Sequence, residues 1–200
     1  IQKKGKSIQE NIEIVLSKLL KEKIKIYGSG RTDTGVHAKE QSAHFDTTNK
    51  IIQKDKLINS LNFFLNKKKI SILKIKRKNK FFHSRFSAKE KRYTYLIRND
   101  VSPSVINFNR EWHVKKKINV DLMKKGAKKL IGTHDFSTFR ATNCGAKSPV
   151  RTMKKVKITK VKNVIKIQFV SKSFLKSQVR SMVGSLKYLG ENKWNLKKFT

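Results

Sequence analysis

Between Gly28 and Ala38 a carboxylate, an arginine and three glycines fall close together in the run Gly28-Ser29-Gly30-Arg31-Thr32-Asp33-Thr34-Gly35-Val36-His37-Ala38. Glycines let a backbone approach a ligand closely. A lone carboxylate in a strongly cationic chain is held ionised, which makes Asp33 a candidate nucleophile or general base. Two familiar sites fit poorly. A dinucleotide fingerprint needs a third glycine where Asp33 stands, and that charge would face a pyrophosphate. Asp33-Thr34-Gly35 has the letters of an aspartic-protease tripeptide, but such a site needs a second carboxylate sharing a proton. A protease would show pepstatin-sensitive peptide cleavage and no RNA affinity. The same residues also suit a plain Gly-rich turn, with an Asx-type hydrogen bond from Asp33 to its own backbone. The histidines His37, His44, His83, His113 and His134 form no i, i+4 pair and accompany a single cysteine, Cys144, so no zinc spacing is present.

The composition narrows the partner class. Forty-nine Lys+Arg oppose 13 Asp+Glu among 200 residues, a net charge of +36. Such a chain repels cations and draws polyanions by counterion release. Only nine of the cations are arginines, so much of the charge reads as a solvated lysine coat, with the arginines as the geometric phosphate readers. Hydrophobic residues make up 37% of the chain, with 12 Phe, enough to bury a core and too scattered for a membrane span. One cysteine excludes an internal disulfide and fits a reducing compartment, hence a cytoplasmic setting. Ile1 is followed by no charged-then-apolar leader.

The elements that would position Asp33 follow from periodicity. Ser7-Ile8-Gln9-Glu10 has capping-box spacing ahead of a stripe of Ile8, Ile12, Val15, Leu16, Leu19 and Leu20, a helix. Ile24 to Tyr27 alternates as a strand, and Gln41 to Asp46 can form another. Asp55 is placed to cap a helix through Leu57, Ile58, Leu61 and Leu65, and Ile70, Ile72 and Ile75 suggest a further strand. Arg92 to Ile97 alternates, with Tyr93, Tyr95 and Ile97 on one face. Asp121 opens a helix that Gly132 ends, Val156 to Ile158 and Val164 to Val170 form a hairpin, and Ser173 caps a helix running to Gly190. The order is that of two α+β units.

Four ordered blocks then carry a resemblance. Gly30 to Ala38 is similar to the signature of the tRNA pseudouridine synthase A family. Phe82-His83-Ser84-Arg85-Phe86-Ser87-Ala88, running into Lys91-Arg92-Tyr93-Thr94-Tyr95, resembles the family's second motif. Asp135-Phe136-Ser137-Thr138-Phe139-Arg140-Ala141, with Cys144 and Ser148-Pro149-Val150-Arg151, resembles the third, and Phe174-Leu175 through Gln178-Val179-Arg180 to Leu186 the fourth. The resemblance spans essentially the whole chain.

It implies the α+β pseudouridine synthase fold: two related subdomains sharing a mainly antiparallel mixed sheet with a central basic cleft. Residues 1–80 are expected to carry the aspartate loop, and 81–200 the active-site tyrosine and arginine. The implied catalytic residues are Asp33, Tyr93 and Arg180. Arg31 falls on the arginine that helps to expel and hold the target nucleotide. Thr32, His37, Arg85, Arg92 and Arg140 are the further RNA-binding candidates. The implied substrate is the tRNA anticodon stem-loop, at positions 38, 39 and 40, and the implied assembly is a homodimer. No cofactor and no metal are required, because uridine and pseudouridine are isomers.

Read without the resemblance, Tyr93 suits a core aromatic, Arg180 an exposed helix residue off the apolar stripe, and Phe136 and Phe139 packing. A non-catalytic RNA-binding protein or tRNA chaperone derived from such a synthase is the rival function. The family's opening strand and its closing strand have no counterpart beside Ile1 or after Phe199-Thr200, so the chain is expected to be incomplete at both ends. Lys176, Ser177 and Gln178 stand where other members often have histidine or methionine.

Overall fold

A computed structural model describes residues 7–50 and 53–199. The chain forms two compact units, Ile1–Ala88 and Lys89–Thr200, dividing beyond the basic run Lys74 to Lys80.

In the first unit, helix α1 (Ile8–Leu20) starts where the capping box predicts. The Ser7 hydroxyl accepts the Glu10 N–H at 3.2 Å, and the chain leaves the helix through Lys21 in the left-handed region. Ile12, Val15, Leu16 and Leu19 pack against Leu57, Leu61 and Leu65 of α2 (Lys54–Leu65). Ser7→Ala should cost about 1 kcal/mol, as loss of a single N-cap does, and thermal unfolding measures it. Asp55 does not cap α2. The cap position is Gln53, with no side-chain bond, and Asp55 sits in the first turn, where the helix dipole favours a carboxylate.

Three expected strands are absent or shortened: Gln41 to Asp46 contributes only Ala43–His44, and the other two lose their ladders to helix side chains. Strand β1 is only Tyr27–Gly28, paired antiparallel with β2 (Ala43–His44). Upstream of it the backbone bonds to side chains of α1. Ile24 N–H donates to Ser17 Oγ at 2.9 Å, Ile26 N–H to Glu13 Oε1 at 2.8 Å, and the Ile26 carbonyl accepts from Gln9 Nε2 at 2.9 Å. The stretch Ile70 to Ile75 is likewise no strand. Asn62 of α2 takes the place of a neighbouring strand, accepting the Ile72 N–H at 2.7 Å and donating to its carbonyl at 3.0 Å. Buried backbone N–H and C=O groups are nearly always paired, and a side chain can pair them as well as a ladder.

The second unit is a five-stranded mixed sheet in the order β4-β3-β7-β6-β5, antiparallel except for β3 with β4. Its strands are β3 (Lys91–Arg98), β4 (Trp112–His113), β5 (Gly132–Asp135), β6 (Val150–Val161) and β7 (Val164–Ser171). β6 and β7 form the expected hairpin, turning at Lys162 and Asn163 with Lys162 at φ 50°. Tyr93, Tyr95 and Ile97 lie opposite Phe169, Ile167 and Ile165, so they share a face. Helices α3 (Val120–Lys129) and α4 (Gln178–Gly190) contribute Met123, Ala127, Met182, Val183 and Leu186 to the core on that face. A short α5 (Leu196–Phe199) adds Phe199. The opposite face carries Arg92, Thr94, Lys155, Lys157, Lys166 and Gln168, in keeping with the alternation of a half-solvated antiparallel sheet. Gly126 lets α3 lie close to α4, since a Cβ there would collide with Leu189 and crowd Leu186 and Phe199.

Three helix boundaries in this second unit also differ from expectation. Asn119, not Asp121, caps α3, accepting the Leu122 N–H at 3.0 Å. α3 closes at Leu130, and Gly132 instead opens β5 with φ 115°. Ser173 does not cap α4. Its carbonyl accepts from Ser171 Oγ at 2.8 Å, and the helix begins later, after Ser177 at φ 62°. No helix among the described residues is long and apolar enough to cross a membrane.

Candidate active site

The aspartate loop spans the gap between β1 and β2. Its stem is closed by the Tyr27–His44 and Gly28–Ala43 pairs, by Ser29 N–H donating to the Ser42 carbonyl at 2.9 Å, and by Gln41 Nε2 donating to the Gly30 carbonyl at 2.9 Å. At the tip the Asp33 carbonyl accepts the Val36 N–H at 3.1 Å, with Gly35 at φ 81°. A positive φ at the third residue of a turn is the type II requirement, which explains glycine there. Arg31, Thr32, Asp33 and His37 are all exposed on this loop. The Gly-rich turn is present, closed by the Asp33 backbone carbonyl, and it carries Asp33 on an exposed loop.

The loop's stem is held from beneath by a polar knot that the spacing of histidines did not reveal. Ser84, 2% exposed, donates its hydroxyl to the Tyr27 carbonyl at 2.6 Å, and its N–H to His44 Nδ1 at 3.2 Å. The knot joins the first motif to the first half of the second, and it fixes the turn that carries Arg85. The clue in the sequence is a small hydroxyl residue standing between aromatic and charged ones in Phe82-His83-Ser84-Arg85-Phe86.

In the second unit the other blocks converge on the β7–α4 connection. Tyr93, half-buried on the core face of β3, meets Phe174 edge-on, with ring centroids 5.0 Å apart and planes at 86°. Arg140 ends a short 3₁₀ turn (Ser137–Phe139), and its neighbour Ala141 donates N–H to the Lys176 carbonyl at 3.0 Å. Lys176 N–H in turn donates to Cys144 Sγ at 3.5 Å. That bond, then the Ala146 N–H and the charges of Arg140 and Arg151, hold the Cys144 thiol below its ordinary range. Within the same block Ser137 donates to the Asp135 carboxylate, holding that acid below its usual range.

Arg180 is exposed in the first turn of α4. The start of that helix is set by Gln178, fully buried, whose Oε1 accepts the Leu175 N–H at 2.8 Å. Spacing alone did not single out Gln178 or Phe174 as organisers of this end. Arg92 lies on the solvated face of β3, 3.6 Å from Glu90. Tyr93, Arg140 and Arg180 are thus gathered at one end of the second unit, while Asp33, Arg31, Thr32, His37 and Arg85 belong to the first.

Most of these segments fall within stretches that match a known protein family. A family model described as tRNA pseudouridine synthase matches residues 1–87 and 127–200, which include the Asp33 loop, the Ser84 turn and α4. A tRNA pseudouridine synthase A from Pelagibacter ubique (strain HTCC1062) is 59% identical over 199 residues, covering 100% of this chain and 81% of its own length. That similarity also runs through Arg92 and Tyr93, which fall between the two stretches the family model matches. Relatives of the same name are 42% identical in Anaplasma phagocytophilum (strain HZ), over 90% of this chain and 73% of that protein. In Neorickettsia sennetsu (strain ATCC VR-367 / Miyayama) the identity is 41%, over 96% and 79%. With its aspartate loop and its α4 block both inside the match, this chain belongs to the tRNA pseudouridine synthase family.

Proposed function

We propose that this chain isomerises uridine to pseudouridine in the anticodon stem-loop of tRNA, at positions 38, 39 and 40. The supporting observation is the 59% identity to a tRNA pseudouridine synthase A along the whole chain. The reaction breaks the N1–C1′ bond, turns the detached uracil and joins C5 to C1′. The C5 proton is lost and N1 gains one, so reactant and product have the same atoms and no oxidant or group donor enters. The target base must leave its stack, at a cost of a few kcal/mol.

Asp33 is the catalytic carboxylate, attacking C1′ or C6 or removing a proton in an elimination route. Arg180 keeps that carboxylate ionised when the site is assembled. Tyr93 stacks on the detached uracil, and its hydroxyl acts at the C5 proton. Arg31 holds the displaced nucleotide, and Thr32, His37, Arg85, Arg92 and Arg140 contact the RNA. The enzyme works as a homodimer in the cytoplasm, in line with its family and with its single cysteine. Of its two units, Ile1–Ala88 supplies the aspartate and Lys89–Thr200 the tyrosine and arginine.

The test is tritium release from tRNA transcripts made with 5-tritiated uridine. The native chain should release tritium stoichiometrically from the anticodon stem-loop. Binding without release would leave only an RNA-binding protein.

A further inference from the structure

Residues 81–87 form a turn that bonds part of its own backbone and holds the Phe81 and Phe86 rings in water. Ser87 N–H donates to the His83 carbonyl at 2.8 Å, His83 N–H to Ser87 Oγ at 3.1 Å, and Arg85 N–H to His83 Nδ1 at 3.2 Å. Ser84 pins the turn to the base of the aspartate loop, as described above. On this fixed frame Phe81 is 82% exposed and Phe86 is 74% exposed. Phe86 lies against His83, with centroids 4.4 Å apart and planes at 36°, and His83 continues to His44 at 4.6 Å. Single exposed apolar residues are ordinary. Two phenylalanines held outward by a stapled turn, one backed by His83 and, edge-on behind it, His44, are a surface organised in advance of its ligand.

The charge around the rings says what that ligand is. Lys80 lies 5.3 Å from the Phe81 centroid, Arg85 5.9 Å from Phe86 and Lys78 5.4 Å from Phe82. No Asp or Glu occurs between Asp55 and Glu90. A partner must therefore be an anion with a flat face to stack, which describes an unpaired nucleotide. Aromatic platforms beside cations are how single-stranded nucleic acid is held without base-specific hydrogen bonds.

The geometry points to a second RNA contact on this protein: an unpaired nucleotide, other than the uridine that reacts, stacks on Phe86 while Arg85 and the neighbouring lysines take its phosphates. The identity of the RNA rests on the isomerase reading above; the stacking surface does not. Since the turn is bonded to Tyr27 and His44, a nucleotide seated there is registered against the stem of the Asp33 loop.

The experiment measures binding of a fluorescein-labelled anticodon stem-loop RNA to the full chain, in an Asp33→Ala background so that turnover does not intervene. Phe86→Ala should weaken binding about tenfold, the scale of one lost base–aromatic stack, and Phe86→Trp should restore it. A fully paired RNA of equal length should bind both chains alike, and the thermal midpoint should not move, because the ring is mostly solvated. In the otherwise native chain, Phe86→Ala should raise KM for tritium release and leave kcat nearly unchanged.

Equal stem-loop affinity with and without the ring would overturn the proposal. So would equal losses for paired and unpaired RNA, which would mark a role in charge or folding, or a change confined to sedimentation, which would mark a protein contact. Ring-dependent RNA binding by a native chain that releases no tritium would refute the reaction and leave this contact standing.

Discussion

Asp33→Ala is expected to bind tRNA as the native chain does and to release tritium at least about a thousandfold more slowly, the scale on which a positioned acid, base or nucleophile acts. The substitution sits on an exposed loop, and the turn there is made by the Asp33 carbonyl and Gly35, which the variant keeps. Thermal unfolding measured alongside separates a loss of chemistry from a loss of fold. Asp33→Asn should be as inactive as Ala, since the amide matches the carboxylate in shape and lacks its charge. A variant with native turnover would displace Asp33 from the reaction and leave the family assignment untouched.

The second large effect concerns the sheet behind Tyr93. Phe169 is fully buried in β7, between Tyr93 on β3 and Val156 on β6. Phe169→Ala removes a ring from the middle of three strands, where the surroundings collapse only partly, and should cost roughly 3–5 kcal/mol. For a domain of this size that lowers the melting temperature by on the order of 15 °C. Lys166→Ala, on the solvated face of the same strand, should stay within about 0.5 kcal/mol of native. Comparable shifts for the two would mean that the helix-covered face does not form the core.

How far the sequence discloses the fold depends on where each segment finds its hydrogen bonds. Ser7 and α1, the β6–β7 hairpin and the stripe of α4 satisfy themselves locally, so their patterns can be read directly. Ile24 to Ile26 and Ile70 to Ile75 alternate as strands do, yet their partners are Gln9, Glu13, Ser17 and Asn62. Those are helix side chains, and no short-range pattern announces them. Ser173 has the right type for a cap, but Ser171 already uses its carbonyl.

In the candidate site, Asp33 stands out because glycines and an arginine cluster around it. Tyr93 and Arg180 were visible only through resemblance, for on their own an aromatic on a core face and an arginine on a helix surface are commonplace. Ser84 and His44 were not foreseen as partners, because they lie 40 residues apart.

The sheet of the second unit has consequences for colloidal behaviour. Its outermost strands are the shortest, β4 with 2 residues and β5 with 4. β5 reaches only the first four residues of the twelve-residue β6, and the edge beyond them bears Lys154, Lys155, Lys157 and Lys160. Stunted margins and lysine-lined ones both discourage strand addition by a neighbour. A polycation whose charge is neutralised by bound RNA loses the repulsion that kept its copies dispersed. Here resistance to cross-β association is also built into the margins of the sheet, so it outlasts that neutralisation.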